Sequence, residues 1–420
     1  MYAYRALLLA GDGDLLLLDT PRNPSFERYC RELLKLGKVE ICGPKAAQAR
    51  SLALRCAGDE ALLLKIAARA RASGGLNLVP YMGTGGVWRL AGTIAARSGT
   101  EVRVAAPPPR LTRRANEKLW FAERVAELFG RHALPAAYSA FNLTALVRRL
   151  KLLAKHHPNV AVKLLDSSSS EGNFVFDSAR IGPLSSGAAC AEVQTTLRRA
   201  GWQGGFPLMV TGWESPVLAS PSVQLWIPEP AAGLPIVEGV FDQLLVGTVA
   251  RFGGAAPSTL PPNWLQCLAA EAVRLGHLLQ ELGYFGRCSF DAIILGDDLA
   301  KAQLHWIECN GRWGGVSIPL TLANRLVGNW TRRPFVVIDH VSPHMVPEDL
   351  TAFLDRMQTK LFIPGVRDTG MVVLSPLRIE TGTGLMLMVL GESAADARTE
   401  AEAITTRFDE THAPAHERLG

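Results

Sequence analysis

No run of apolar residues in this chain is long enough to cross a membrane. The most hydrophobic N-terminal segments, "ALLLA" (6–10) and "DLLLLD" (14–19), are broken by Gly and Asp, and no basic segment precedes them as in a signal peptide. Neither export nor membrane insertion is expected. Basic blocks with interleaved aromatics are also missing, which argues against a nucleic-acid partner. The net charge of +5 is spread along the chain and suits anionic small molecules. HExxH spacing is absent, so His305, His340 and His344 read as structural histidines rather than metal ligands. The seven cysteines (30, 42, 56, 190, 267, 288 and 309) are odd in number and include no CxxC pair. They read as reduced thiols in a cytoplasmic protein. No internal repeat is visible.

What remains is an ordinary globular composition, 48% hydrophobic and 20% charged over 420 residues, enough for about two to four domains. Apolar runs of β type occur at 6–10, 14–19, 38–44, 76–83 and 101–109, with helical patterns between them at 26–37 and 59–75. This alternation predicts an open parallel sheet covered by helices. The Pro run at 107–109 marks a boundary. "GTGG" (83–86) follows a strand but fails GxGxxG, and reads as a turn.

Two later segments read as a hairpin. "RCSFDAIIL" (287–295) and "LHWIECNGRWGG" (304–315) flank the polar connector "GDDLAKAQ" (296–303). Pairing symmetric about residue 299 would place Asp291 opposite residue 307, one position from Glu308. Alternation puts Glu308, Asn310 and Arg312 on one face and Ile307 and Cys309 on the other. Acids gathered in an apolar sheet are costly unless compensated. Asp291, Glu308 and Asn310 form an oxygen-rich set suited to a hard divalent cation, and Arg312 suits a phosphate or carboxylate. Cys309 reads as core packing.

Between these regions, "NEKLWFAERVAELFG" (116–130) predicts an amphipathic helix opened by Lys118, and "NLTALVRRLKLLAKHH" (142–157) predicts a second. Lys163 then lies on a strand, followed by the small-residue segment "DSSSSEGN" (166–173), which fits either a phosphate-wrapping loop or a linker. A strand at 222–230 halts at Pro228 and Pro230, and an apolar segment follows at 234–247. Arg251 sits in a Gly/Pro-rich stretch of the kind that lines acceptor sites.

Taken in order, these segments resemble the ATP-grasp superfamily over residues 114–325. "WIECNGRWGG" is similar to its metal-binding strand, with Gly311 where Pro is usual. The resemblance implies that Asp291, Glu308 and Asn310 hold Mg2+, with Mn2+ as an alternative, against ATP. It implies that Lys118 and Lys163 contact phosphates and adenine, and that Ser168, Ser169, Ser170 and Gly172 close over the γ-phosphate. Gln224, Leu225 and Ile227 would form the hinge strand against adenine; no ribose-gripping acid is identified after it. Arg312 would hold the acyl phosphate and Arg251 a substrate carboxylate. The tail at 370–404, read as a hairpin plus helix, resembles pheganomycin-type pre-ATP-grasp peptide ligases.

The fold class implied is α/β (α+β). Its parts are a pre-ATP-grasp α/β domain (1–113), a lid subdomain (114–222), a large subdomain with the metal site (223–333) and a C-terminal α+β module (334–420). The activity implied is ADP-forming amide or peptide ligation through an acyl phosphate, in natural-product biosynthesis. The alternatives are a thioester-forming ligase, a carboxylase, a kinase or a nucleotide sensor. The partners implied are a small-molecule carboxylate and an amine or peptide, with a homodimer among the assemblies allowed.

Overall fold

A computed structural model describes residues 2–45, 51–165, 172–247, 251–342, 349–379 and 383–412. The chain divides into two units. One comprises Met1–Thr112, Gly253–Pro257 and Arg312–Gly420; the other comprises Arg113–Phe252 and Ser258–Gly311.

In the first unit, strand Leu15–Leu17 pairs in parallel with Glu40–Cys42, and Leu76–Leu78 with Val102–Val104. The predicted parallel pairing is present, as two separate two-stranded ladders rather than one continuous sheet. Helix Glu60–Ala72 begins where the Asp59 carboxylate accepts the Leu62 N–H at 3.1 Å, closing one of the orphan donors of the first turn. Its Leu62, Leu63 and Ile66 pack with Leu90 and Ile94 of helix Gly85–Ser98. The turn "GTGG" leads straight into that second helix. The segment "ALLLA" is not a strand: Tyr2–Leu8 forms a 3-10 helix. Tyr4, Leu7 and Leu8 are all buried, a spacing of three and four that a helical turn brings to one side and a strand would split.

Later in the same unit, Phe335–Ser342, Thr383–Leu390 and Gly370–Val373 pair antiparallel, and Gly254 and Ala255 pair with Ile338 and Val337. Helix Ala394–His412 buries Ala397, Ala401, Ile404 and Phe408. The predicted hairpin followed by a helix is therefore present in the tail.

The second unit contains two sheets. The first has four antiparallel strands in the order Ala137–Ala140, Leu208–Trp213, Asn159–Lys163, Asn173–Asp177. Helices Leu143–Leu153 and Ser186–Arg199 cover one face, where Val160, Val162 and Val210 pack with Leu146, Leu150 and Val193. By alternation Lys163, Thr211 and Trp213 face the other side. The second sheet runs Gln303–Asn310, Gly286–Leu295, Pro221–Ile227, Ile236–Val246. Behind it, Phe290 stacks on Phe121 of helix Lys118–Phe129, with ring centroids 5.8 Å apart. Trp306 donates its indole N–H to Glu271 of helix Pro262–Glu281 at 2.8 Å. Parallel and antiparallel sheets with covering helices give a mixed α/β fold, as predicted.

Phe121 supports the strand that carries Asp291, so Phe121→Ala is expected to lower stability by about 3–5 kcal/mol. Urea unfolding measures this. A loss below about 1 kcal/mol would be typical of a surface site rather than a core aromatic.

Candidate active site

The hairpin predicted around residue 299 forms, with one change of register. Leu295 pairs with Gln303, and the pairing continues regularly to Ala292 opposite Trp306. Between Asp291 and Ala292 it slips by one residue, so Asp291 lies opposite Glu308 and Ser289 opposite Asn310. Ile307 is the extra residue of this β-bulge. Its effect is decisive. Without the bulge, Asp291 and Glu308 would point to opposite faces; with it, Ile307 and Glu308 both line a pocket together with Asp291. The predicted placing of Ile307 away from Glu308 is corrected accordingly. Trp306 and Cys309 are buried on the helix side, and Cys309 packs as expected.

Two facing carboxylates need compensation, and the surrounding residues provide it. Asn310 Nδ2 donates to Asp291 Oδ2 at 2.9 Å and to Glu308 Oε1 at 3.5 Å. Ser222 Oγ donates to Asp291 Oδ1 at 2.6 Å and itself accepts from Gln224 Nε2 at 2.9 Å. Lys118 Nζ lies 3.0 Å from Glu308 Oε2. Lys118 is buried at the first position of its helix. A cation there opposes the helix dipole, and the Glu308 carboxylate compensates for that placement.

The pocket's other wall comes from the four-stranded sheet: Lys163, Asn173, Thr211, Gly212, Trp213 and Glu214. Lys163 and Asn173 are cross-strand partners, and Lys163 Nζ lies 5.8 Å from the centre of the Trp213 ring. The Lys163 ammonium is withdrawn from water although the residue as a whole is only partly covered. Burial pushes its pKa down to about 8, and Lys118 pushes the same way, against the pull of Glu308 and Glu214. Glu214 Oε1 lies 3.7 Å from His305 Nδ1. Burial holds His305 below its ordinary pKa, consistent with a neutral structural histidine.

Among the residues singled out from sequence, Lys118, Lys163, Asp291 and Glu308 line one pocket, and Asn310 bridges its two acids. Gly172 is buried beside them, accepting the Leu164 N–H at 2.9 Å. Ser168, Ser169 and Ser170 lie outside the described residues. Gln224, Leu225 and Ile227 do not line the pocket. Their strand lies between Ile236–Val246 and Gly286–Leu295, and the Leu225 and Ile227 side chains are fully buried. The strand alongside the pocket is Leu208–Trp213 instead, and Glu214 is the acid that follows it. Its sequence, "LMVTGWE" (208–214), has the look of any core strand; only the terminal Trp–Glu pair departs from that. Arg251 is exposed at the start of its strand and is not a pocket residue. Arg312 belongs to the other unit.

The donor set fits Mg2+. Two carboxylates and an amide are hard oxygen ligands, and this ion completes its shell with water and phosphate. Among the described residues no three His, Cys, Asp or Glu side chains cluster to hold a metal, so a third protein ligand here would have to be Asn310. Its amide would have to turn its oxygen toward the ion, since its NH2 now bridges the acids.

Comparisons with known proteins bear on the fold. Residues 3–96 match the family model of the pre-ATP-grasp domain. Over the whole chain, an N5-carboxyaminoimidazole ribonucleotide synthetase in its ADP complex is 14% identical with TM-score 0.58, covering 96% of this chain and 94% of that one. The Thermus thermophilus enzyme of that name is 13% identical with TM-score 0.56, covering 96% of each chain. The chain has the ATP-grasp fold. Biotin carboxylase from Campylobacter jejuni, solved as a β,γ-ATP complex, is a third ATP-grasp neighbour, 14% identical with TM-score 0.56 over 94% of this chain and 86% of that one. No curated protein matches the sequence. Among the described residues no helix is long and apolar enough to cross a membrane.

The depressed Lys163 pKa has a sign that can be tested. Folding disfavours its charged form, so Lys163 costs stability below about pH 8, and the cost fades as pH rises toward 10.5. Lys163→Met should therefore be more stable than the parent at pH 7, with the advantage shrinking by pH 10. Thermal midpoints across that range decide. An advantage that stays constant would mean the ammonium is not desolvated.

Proposed function

We propose that this ATP-grasp chain is an ADP-forming ligase that joins a carboxylate to an amine, in the manner of the pheganomycin-type peptide ligases. The observation that carries the reading is the pairing of Asp291 with Glu308 across the bulge, facing Lys118 and Lys163 in one pocket. Such a site suits a polyphosphate: cations for its oxygens, and acids that tolerate its charge only through a divalent ion.

A carboxylate is a poor electrophile until it is activated. Transfer of the γ-phosphoryl of ATP to it gives an acyl phosphate and ADP, and asks the protein for positioning and charge neutralisation rather than for a nucleophile. Mg2+ bound to Asp291, Glu308 and Asn310 would supply neutralising charge between phosphates. Lys118 and Lys163 hold phosphate oxygens, and an arriving anion offsets the burial that disfavours the charged form of Lys163. Adenine packs along Thr211–Trp213, and Glu214 accepts from ribose hydroxyls, the role for which no residue stands out in the sequence. By the sequence resemblance alone, Ser168, Ser169, Ser170 and Gly172 are assigned to the γ-phosphate, Arg312 to the acyl phosphate and Arg251 to a substrate carboxylate. Ser222 and Gln224 orient Asp291 from behind. The four-part division at 113, 222 and 333 accompanies this reading, with cytoplasmic location and natural-product biosynthesis as its setting.

A second reading is ATP-dependent carboxylation, favoured by the names of the fold neighbours, which include a biotin carboxylase and carboxyaminoimidazole ribonucleotide synthetases. The experiment is incubation with ATP, Mg2+, hydroxylamine and pooled carboxylic acids. Hydroxamates with stoichiometric ADP support the ligase. ADP release driven by bicarbonate alone supports carboxylation, and AMP as the product removes both.

Two variants test the site. Glu308→Gln should lower turnover by at least ~100-fold, as for loss of one electrostatic stabiliser. Ser222→Ala leaves the ligands in place but frees Asp291 to rotate. The Mg2+ concentration for half-activity should then rise by about 10–100-fold, with Ser222→Thr recovering most of it. An unchanged Mg2+ dependence would remove Ser222 from this role.

A further inference from the structure

The sheet face that carries Asp291 continues beyond the pocket. Arg287, Ser289 and Asp291 alternate along strand Gly286–Leu295 and point the same way. In register with Arg287 on the next strand is Trp226, and in register with Trp226 on the strand after that is Ile236. Glu238, two residues along from Ile236, forms an ion pair with Arg287, whose guanidinium also lies over the Trp226 ring, 5.3 Å from its centre. Tyr284 Oη donates to the Arg287 carbonyl at 2.7 Å and ties down the start of the strand.

The exposure of these groups is uneven. The Arg287 and Glu238 side chains are only 15% and 16% exposed, whereas Trp226 and Ile236 are 38% and 56% exposed. An ion pair drawn this far out of water contributes little net stability, and two open apolar side chains beside it contribute none. A guanidinium held flat on an aromatic ring and braced by a carboxylate has its donor plane fixed in advance. That is the arrangement that favours bidentate capture of a second carboxylate.

Distance narrows the ligand. Arg287 is four residues from Asp291, about 13 Å along the strand. An extended peptide covers about 3.3–3.6 Å per residue, so two or three residues bridge the gap once the reach of the Arg side chain is allowed for. We propose that Arg287, braced by Glu238 and Trp226, binds the C-terminal carboxylate of a short peptide acceptor whose terminal side chain lies on Trp226 and Ile236. The acceptor's amine then lies toward the Asp291–Glu308 end. This rests on the ligase reading and specifies its acceptor as a free-acid di- or tripeptide with an apolar last residue.

The test is binding of alanyl-alanyl-phenylalanine and of its C-terminal amide to the full chain by calorimetry, without nucleotide. The acid should bind at least about tenfold more tightly than the amide, as for loss of a charged hydrogen-bonded pair. Arg287→Gln should erase that preference. Trp226→Ala, which leaves both members of the Arg287–Glu238 ion pair present, should weaken both peptides. Affinity for a non-hydrolysable ATP analogue should be unchanged in both variants, which shows them folded. Equal binding of acid and amide by the parent, or no binding of either, overturns the proposal, as does an intact preference in folded Arg287→Gln. Failure of the parent to bind the ATP analogue would instead overturn the ligase reading, and an acid preference seen without nucleotide would then mark a peptide site alone.

Discussion

Two like charges set directly opposite each other on paired strands repel, and a sheet normally avoids the arrangement. Here Asp291 and Glu308 are held in that relation, and much of the second unit can be understood as what makes it tolerable. The hairpin supplies Asn310 between them, the neighbouring strand supplies Ser222, and a helix begins at the point that delivers Lys118 to Glu308. The helix-side packing of Phe121, Phe290 and Trp306 then fixes the backbone from behind. The two acids are thus held close at the cost of a dedicated set of donors around them.

Much of this could be read from residues alone, because the relevant signals are local. Period-two alternation with acids and an amide at the end of an apolar strand marks out the strand that carries Glu308 and Asn310, and helical patterns such as 59–75 and 142–157 mark out their helices. What escaped is what depends on partners. A bulge of one residue leaves no trace in alternation on its own strand, since the shift shows only against the strand beside it. The strand flanking the pocket was misplaced for a similar reason. "SVQLWIP" (222–228) and "LMVTGWE" (208–214) are equally apolar and each pairs with a strand on both sides, and only the lining of the pocket shows that the second borders it. The N-terminal "ALLLA" misled because leucine runs satisfy both periods, and burial of Tyr4 decided for the helical one.

Gly311 shows how a departure from a motif is explained by its surroundings. A Cβ at that position would meet Ala115 Cβ at 3.0 Å, Asn116 Nδ2 at 3.1 Å and Tyr284 Cε2 at 3.3 Å. Asn116 also donates to the Gly311 carbonyl at 3.2 Å. The segment leading into the Lys118 helix is thereby packed against the end of the metal strand, more closely than the ring of a proline would allow.

The bulge at Ile307 also acts as a phase shifter. Upstream of it the strand keeps step with its partner through the connector at 296–302; downstream it runs half a period out of step, and only the downstream phase turns Glu308 and Asn310 toward Asp291. Removal of a single residue at 307 would exchange the inner and outer faces of everything after it, burying a carboxylate among aromatics and presenting Cys309 to the pocket.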